Sequence, residues 1–154
     1  MGESQLNWRC LRFADLSVQQ LHDLLALRSA VFVVEQSCVF QDIDGLDPQA
    51  VHVLGHDEQD QLQASSRCFA PGVVYAEASI GRVVTAPTAR GTGLGHQLMR
   101  QAMACVQAHW GPVPIRIGAQ SHLQAFYDSH GFVTDSEPYL EDGIWHVQML
   151  LMPA

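Results

Sequence analysis

The segment Arg90-Gly91-Thr92-Gly93-Leu94-Gly95 limits what this chain can fold into more than any other stretch. An apolar run, Ile80-Gly81-Arg82-Val83-Val84-Thr85, precedes it and helical spacing follows it, which predicts a strand, a glycine-rich turn and a helix start. Glycines let backbone N–H groups crowd toward a ligand without Cβ clashes. The first N–H groups of the following helix lack intrahelical acceptors and add partial positive charge. A strand, turn and helix start of this kind form a socket for an anion, and a phosphate-bearing cofactor is its natural guest.

Two phosphate-binding loops are excluded. A Walker A loop ends in Gly-Lys-Ser/Thr, and the chain contains no lysine. A dinucleotide fingerprint needs Gly-x-Gly-x-x-Gly, whereas here the third glycine comes one position early and His96 stands where the last should be. The strand before the loop also follows several other predicted strands, so it does not belong to a first βαβ unit.

Composition narrows the class further. At 154 residues, 47% apolar and 16% charged, the chain suits one globular domain over 1–154 and disfavours disorder. A formal net charge of −8 is a poor footprint for a nucleic-acid binder, and it suits a cationic or amine substrate. No run approaches the roughly 18 apolar residues of a membrane span. The first residues lack the basic and apolar regions of a signal peptide, so a soluble, cytoplasmic protein is expected. Cys10, Cys38, Cys68 and Cys105 lie far apart without a Cys-x-x-Cys pair and read as reduced, mostly buried thiols.

In chain order, Trp8–Phe13 reads as a first strand. Ser17 and Gln20 form a capping box that opens a helix with Leu21, Leu24, Leu25, Arg28 and Phe32 at helical spacing, and Arg28 is expected to snorkel at the helix edge. The apolar run Val31–Gln36 leads to an acidic turn, Asp42-Ile43-Asp44-Gly45-Leu46-Asp47. That turn lacks the twelve-residue spacing of a calcium loop and is expected to face substrate or cap an element. Val51–Leu54 and Gln63–Phe69 read as a hairpin around Asp57–Asp60. On a strand, the spacing of His52 and His56 offers no metal pair, and no metal site is expected. After the glycine loop, Leu94, Leu98, Ala102, Cys105 and Val106 mark the buried stripe of a helix ended by Gly111-Pro112. Val113–Ala119 reads as a strand. Ser121 and Gln124 suggest a second capping box and a short helix ending before Gly131. The turn Glu141-Asp142-Gly143 lies between two closing strands.

The spacing Arg90-x-x-Gly93-x-Gly95, with Tyr127-Asp128-Ser129-His130-Gly131-Phe132 beyond it, resembles the acyl-CoA signature of the GNAT superfamily of N-acetyltransferases. A closer resemblance is to the ElaA-like branch. It is carried by Leu27-Arg28, Val31–Gln36, Cys38, Asp44-Gly45, Asp47, His52, Ile80–Val83, Ala119–Gln124, Phe126-Tyr127 and Glu141–His146, with Trp145 where a smaller residue or proline is expected. The resemblance implies an α/β fold of the α+β type: a mixed, mostly antiparallel central sheet splayed around the acyl-CoA site and flanked by about four helices. It implies acetyl-CoA as co-substrate and a primary amine, of a small molecule or a protein, as acceptor; pairing into a homodimer stays open. It places the pantetheine arm against Val83 and Thr85, the oxyanion at a backbone N–H around Val83 or Val84, and the pyrophosphate on Gly91, Thr92, Gly93, Leu94, Gly95 and His96, beside Arg90. Tyr127 stands where the family's acid stands. His52, Glu35, His146 and Glu77 are candidate bases, and Arg28, Glu35, Gln36, His52 and His146 form an acceptor-site group in which Glu35 could pair with a cation and Arg28 could hold a carboxylate or orient Glu35. An acyl-homoserine-lactone-synthase-like transferase and a CoA-binding sensor without turnover are the alternatives.

Overall fold

Four antiparallel strands follow one another across the first half of the sheet: β1 (Asn7–Arg12), β2 (Val51–His56), β3 (Leu62–Phe69) and β4 (Ala78–Thr85). The computed structural model describes residues 5–154. Strands β2 and β3 are buried along nearly their whole length, as strands covered on both faces must be. The second half holds β5 (Ile115–Gln120) and β8 (Ile144–Leu151), with the short strands β6 (Val133–Thr134) and β7 (Tyr139–Glu141) both paired to β8. The order is β1-β2-β3-β4-β5-β8-β6, and among the described residues only β4 and β5 run parallel.

That parallel junction is the feature that positions everything else. Strands β4 and β5 pair only at Ala78↔Ile115 and Ser79↔Arg116, then diverge. Across β4 from this gap, Ser65 pairs with Val84 and Arg67 with Gly81, so Ser66 alone faces Arg82 and Val83. The extra residue is a β-bulge. Arg82 takes φ 49° there, a left-handed conformation that costs a non-glycine residue roughly 1–2 kcal/mol.

Three α-helices accompany the sheet: α1 (Val18–Arg28), α2 (Leu94–Trp110) and α3 (Gln124–Asp128). The fourth that the resemblance suggests is absent among the described residues, because Ser29–Glu35 continues α1 as π-helical turns, with Gln36 N–H donating to the Val31 carbonyl. The Ser17–Gln20 capping box forms with both reciprocal hydrogen bonds. The second one does not: Ser121–Leu123 is a 3-10 turn, Ser121 Oγ has no partner, and the Gln124 side chain donates to Thr134 Oγ1 instead. The stripe Leu94, Leu98, Ala102, Cys105 and Val106 is buried as its spacing predicts, in one core with Val53, Ile80, Ile117 and Met149. The cysteines differ from expectation. Cys10 on β1 and Cys105 on α2 form a disulfide, which sequence separation of 95 residues conceals, while Cys38 and Cys68 are free.

Candidate active site

The divergence of β4 from β5 opens a cavity of about 330 Å³. Ile80, Gly81, Arg82 and Val83 line it from β4, Ile117, Gly118 and Gln120 from β5, and Tyr127 from α3. Backbone edges that would pair in a continuous sheet are free to meet an extended ligand along this gap, as in strand addition. Val83 therefore faces the cavity, Val84 is buried on the other side and Thr85 is half-buried at the strand end.

Beyond β4 lies the glycine loop. Gly91 and Gly93 have φ 81° and 77°, the region glycine enters at least cost. Gly93 is the N-cap of α2 and brings no side chain to cap the helix, so the first N–H groups stay available to an anion. Thr92 Oγ1 donates to the Ala89 carbonyl and closes the turn, and Leu94 is buried and anchors it. A Cβ on Gly95 would meet the Phe126 ring at 3.4 Å, about van der Waals contact, so α2 begins close to Phe126 of α3. The His96 amide is already committed to the Gly93 carbonyl, and its ring lies 2.9 Å from His130 through Nδ1 and Nε2. His96 thus contributes position more than a free backbone donor.

The expected acceptor group separates into three places. Arg90 donates twice to Glu35, at 2.7 Å each, which holds the Glu35 carboxyl below its usual range through that hydrogen bonding. Glu35 thus sits with the glycine loop. Arg28 does not snorkel: at 1% exposure it donates to Asp42 at 2.8 Å and to Asp47 at 2.7 Å, and makes no contact with Glu35. His52 is equally buried and off the cavity; its Nε2 donates to the Asp47 carbonyl at 3.0 Å. Gln36 and His146 do face the cavity. Glu77 is outside it, paired with Arg116.

Arg28 belongs to a self-contained ion cluster. Arg67 donates to Asp44 and Asp47, and Arg82 to the Asp42 carboxylate and carbonyl. Three guanidinium groups thereby balance Asp42, Asp44 and Asp47, and the acidic turn is fixed as a cavity wall that also holds the Arg82 bulge. Burial alone would raise the Asp47 carboxyl, but hydrogen bonds and charge from Arg28 and Arg67 outweigh it and hold it low. The hydrogen bond from Arg67, with help from the Leu46 amide, depresses Asp44 far below the usual carboxylate range.

Burial pushes His52 down, only partly offset by Asp47, so it stays neutral in the folded chain. The unfolded chain protonates the same imidazole near pH 6.5. The unfolded state then binds more protons, so stability falls as pH drops below about 6.5, with His56, also lowered by burial, adding to that limb. The depressed Asp44 and Asp47 add a second loss below roughly pH 4, where the unfolded carboxylates protonate. Urea midpoints measured from pH 7.5 to 5 are expected to decline, and His52→Gln, whose amide can replace the Nε2–H donor, to make the slope shallower; an unchanged slope contradicts the assignment.

At the far end of the cavity stand Tyr75, which lines it, and Tyr139, which packs on the lining residues His146 and Gly118; neither was among the residues expected from sequence. The turn Asp142-Gly143, with φ 53° and 77°, sets Tyr139 opposite His146 and Leu140 opposite Trp145. Period-two alternation turns His146 toward the cavity and Trp145 outward, so Trp145 does not reshape the pocket. The Tyr139 ring stacks on His146 at 5.8 Å. A Cβ on Gly118 would lie 3.0 Å from Tyr139 Oη and 3.3 Å from Tyr75 Oη, so that glycine admits both phenols. Burial, then Tyr75 and Glu141, push the Tyr139 phenol up to about 12. The His146 Nδ1 lies 2.8 Å from the Ile144 carbonyl; a carbonyl only accepts, so Nδ1 carries the proton and Nε2 keeps a lone pair in the neutral ring. Glu141 lies 3.6 Å from that Nε2. Reading the two-residue turn as a hairpin register would have found Tyr139. Tyr75, in a loop, left no signal.

Similarity to known proteins extends over nearly the whole chain. The Acetyltransferase (GNAT) domain family matches residues 31–152. Protein ElaA of Escherichia coli K12 is 44% identical over 146 residues, 94% of this chain and 95% of that protein. The crystal structure of an acyl-CoA N-acyltransferase from Pseudomonas aeruginosa superimposes with a TM-score of 0.90 at 44% identity, covering 96% of this chain and 99% of that one. The Escherichia coli ElaA crystal structure gives 0.88 at 42% identity over 96% and 99%. Among the described residues no helix is long and apolar enough to cross a membrane.

Proposed function

Because the chain belongs to the GNAT acetyltransferase family, we propose that it transfers an acetyl group from acetyl-CoA to a cationic amine, with Tyr127 as proton donor and His146 as base. The observation that carries this reading is the β4–β5 divergence, which opens a cavity shared by Val83, Tyr127 and His146. The glycine loop fits the diphosphate end of such a co-substrate, and the free edges of β4 and β5 fit its amide-bearing arm. A bound acyl thioester supplies the activated acyl group.

The chain's own residues account for the protons and charge. An ammonium with an ordinary pKa near 10.4 must lose a proton before it can attack. Of the four base candidates, Glu35 is held by Arg90, Glu77 by Arg116 and His52 by the Asp47 carbonyl. Of the four, His146 alone lines the cavity, with Nδ1 tied to the Ile144 carbonyl and Nε2 outside hydrogen-bond distance of Glu141. Burial pushes the Tyr127 phenol up to about 12, which keeps it protonated at neutral pH and able to donate to the leaving thiolate. The bulge at Arg82–Val83 turns backbone N–H groups out of the β3 ladder, where they can stabilise the oxyanion.

The cation preference follows from charge. The ion cluster balances itself, and Glu141 and Asp142 lie on the cavity wall outside it, Glu141 3.6 Å from His146 Nε2. The role expected of Glu35 passes to this pair. Mixing the protein with acetyl-CoA and a panel of polyamines, amino acids and peptides is expected to release free thiol with at least one cationic amine. Binding of acetyl-CoA without thiol release on every amine would favour a sensor, and failure to bind any acyl-CoA would sink the proposal.

A further inference from the structure

On the side of the sheet covered by α2, the Sγ atoms of Cys10 and Cys105 and a ring nitrogen of His109 lie within 4.8 Å of one another. We infer that these three residues form a redox-gated site for a thiophilic divalent cation such as Zn²⁺, holding the ion when both thiols are reduced and releasing it when they join as the disulfide.

The ligand set is the first argument. Two thiolates and an imidazole are donors that bind zinc in tetrahedral sites, leaving the fourth position to water or another ligand. Their placement is the second. Cys105 and His109 are four residues apart near the end of α2, hence on one helix face, and Cys10 reaches them from the edge strand β1. The Cα atoms of the two cysteines are 6.3 Å apart, a spacing that serves a disulfide and also suits two thiolates each roughly 2.3 Å from one ion. Cys105 is buried, whereas Cys10 and His109 are exposed, so an ion can enter from solvent without any element opening. The carbonyl end of α2 carries partial negative charge toward the site, and the chain's net charge of −8 acts in the same direction.

Redox chemistry supplies the gate. In a reducing compartment a disulfide does not persist, and a cysteine pair there is more often metal-binding. With a small-molecule disulfide as oxidant, one thiolate attacks it, expelling one small thiolate; the second thiolate then attacks the mixed disulfide and expels the other. Two electrons pass to the oxidant, the Cys10–Cys105 bond forms, and the cation leaves because its sulfur ligands are consumed. Either state clips α2 to β1. The remaining thiols do not compete at this place: Cys68 is buried, its sulfur directed at the Ala102 carbonyl, and Cys38 donates to the Asp142 carbonyl beside the cavity.

The test uses the full chain, reduced with a phosphine, desalted and titrated anaerobically with Co²⁺ as a spectroscopic probe. A thiolate-to-cobalt charge-transfer band is expected, saturating at one equivalent, displaced by Zn²⁺ and retained in Cys38→Ser. Cys10→Ser should abolish it. His109→Gln, a surface change that leaves the core untouched, should weaken cobalt binding by about tenfold or more, at least the loss that follows removal of an outer-shell partner. Oxidised glutathione should discharge the band and free the ion to a chromophoric chelator. Absence of the band in reduced protein, its persistence in Cys10→Ser, or unchanged affinity in His109→Gln would overturn the proposal.

Discussion

Tyr127→Phe is expected to lower kcat for acyl transfer by about 10²-fold or more, with acetyl-CoA affinity nearly unchanged. The substitution removes one oxygen from a side chain whose ring is otherwise held by packing, edge-on to Phe126 at 5.1 Å and to Phe132 at 6.1 Å. The ring and its packing survive, so the cavity keeps its shape and the glycine loop keeps its N–H groups. What is lost is the proton for the leaving thiolate. Steady-state turnover set beside calorimetric binding of acetyl-CoA separates the two effects. Equal turnover in both proteins would remove Tyr127 from the chemistry and leave it a core aromatic.

Asp47→Ala is expected to destabilise the fold by about 3–5 kcal/mol, the range for breaking a buried ion pair from one side. Asp47 accepts from Arg28 and Arg67 through the same oxygen, and all three side chains are nearly sealed from water. Each arginine keeps one partner, Asp42 or Asp44, but a buried positive charge in excess remains. A domain of this size is stable by only about 5–15 kcal/mol in total, so the loss is a large fraction. Urea unfolding reads it directly. A change below about 1 kcal/mol would mean that the cluster relaxes or admits water, and that the cavity wall is held by something else.

Much of the fold was legible because it rests on local pattern. The Ser17 cap, the stripe on α2, the hairpin of β2 and β3 and the stop at Gly111 each express a period or a turn residue that acts within a few positions. The glycine loop was legible for the same reason. What escaped depends on contacts distant in sequence. Arg28 looked like an edge residue because its partners, Asp42 and Asp47, lie in an irregular loop whose path spacing does not encode. Glu35 looked like an acceptor ligand until the fold brought Arg90 to it across 55 residues. The disulfide joins a strand to a helix 95 residues away. The failed cap at Ser121 is subtler: Ser-x-x-Gln is present, yet the 3-10 turn of Ser121–Leu123 occupies the place where the helix was expected to begin.

At the acceptor end, His146 was among the candidates by resemblance, and proposing it over His52, Glu35 and Glu77 rests on hydrogen-bond partners and on its place in the cavity wall. His52→Gln is accordingly expected to change stability with pH, whereas His146→Gln is expected to lower turnover while the fold remains.

We propose that one cavity, opened where β4 leaves β5, holds the acyl thioester between Tyr127 and the Arg82 bulge. A crystal structure of the complex with acetyl-CoA tests it most directly. The diphosphate is expected on the N–H groups of residues 91–95, the amide arm along β4, the thioester oxygen about 3 Å from a backbone nitrogen of residues 82–84, and Tyr127 Oη beside the sulfur. A diphosphate bound away from the glycine loop, or a sulfur beyond the reach of Tyr127, would contradict it.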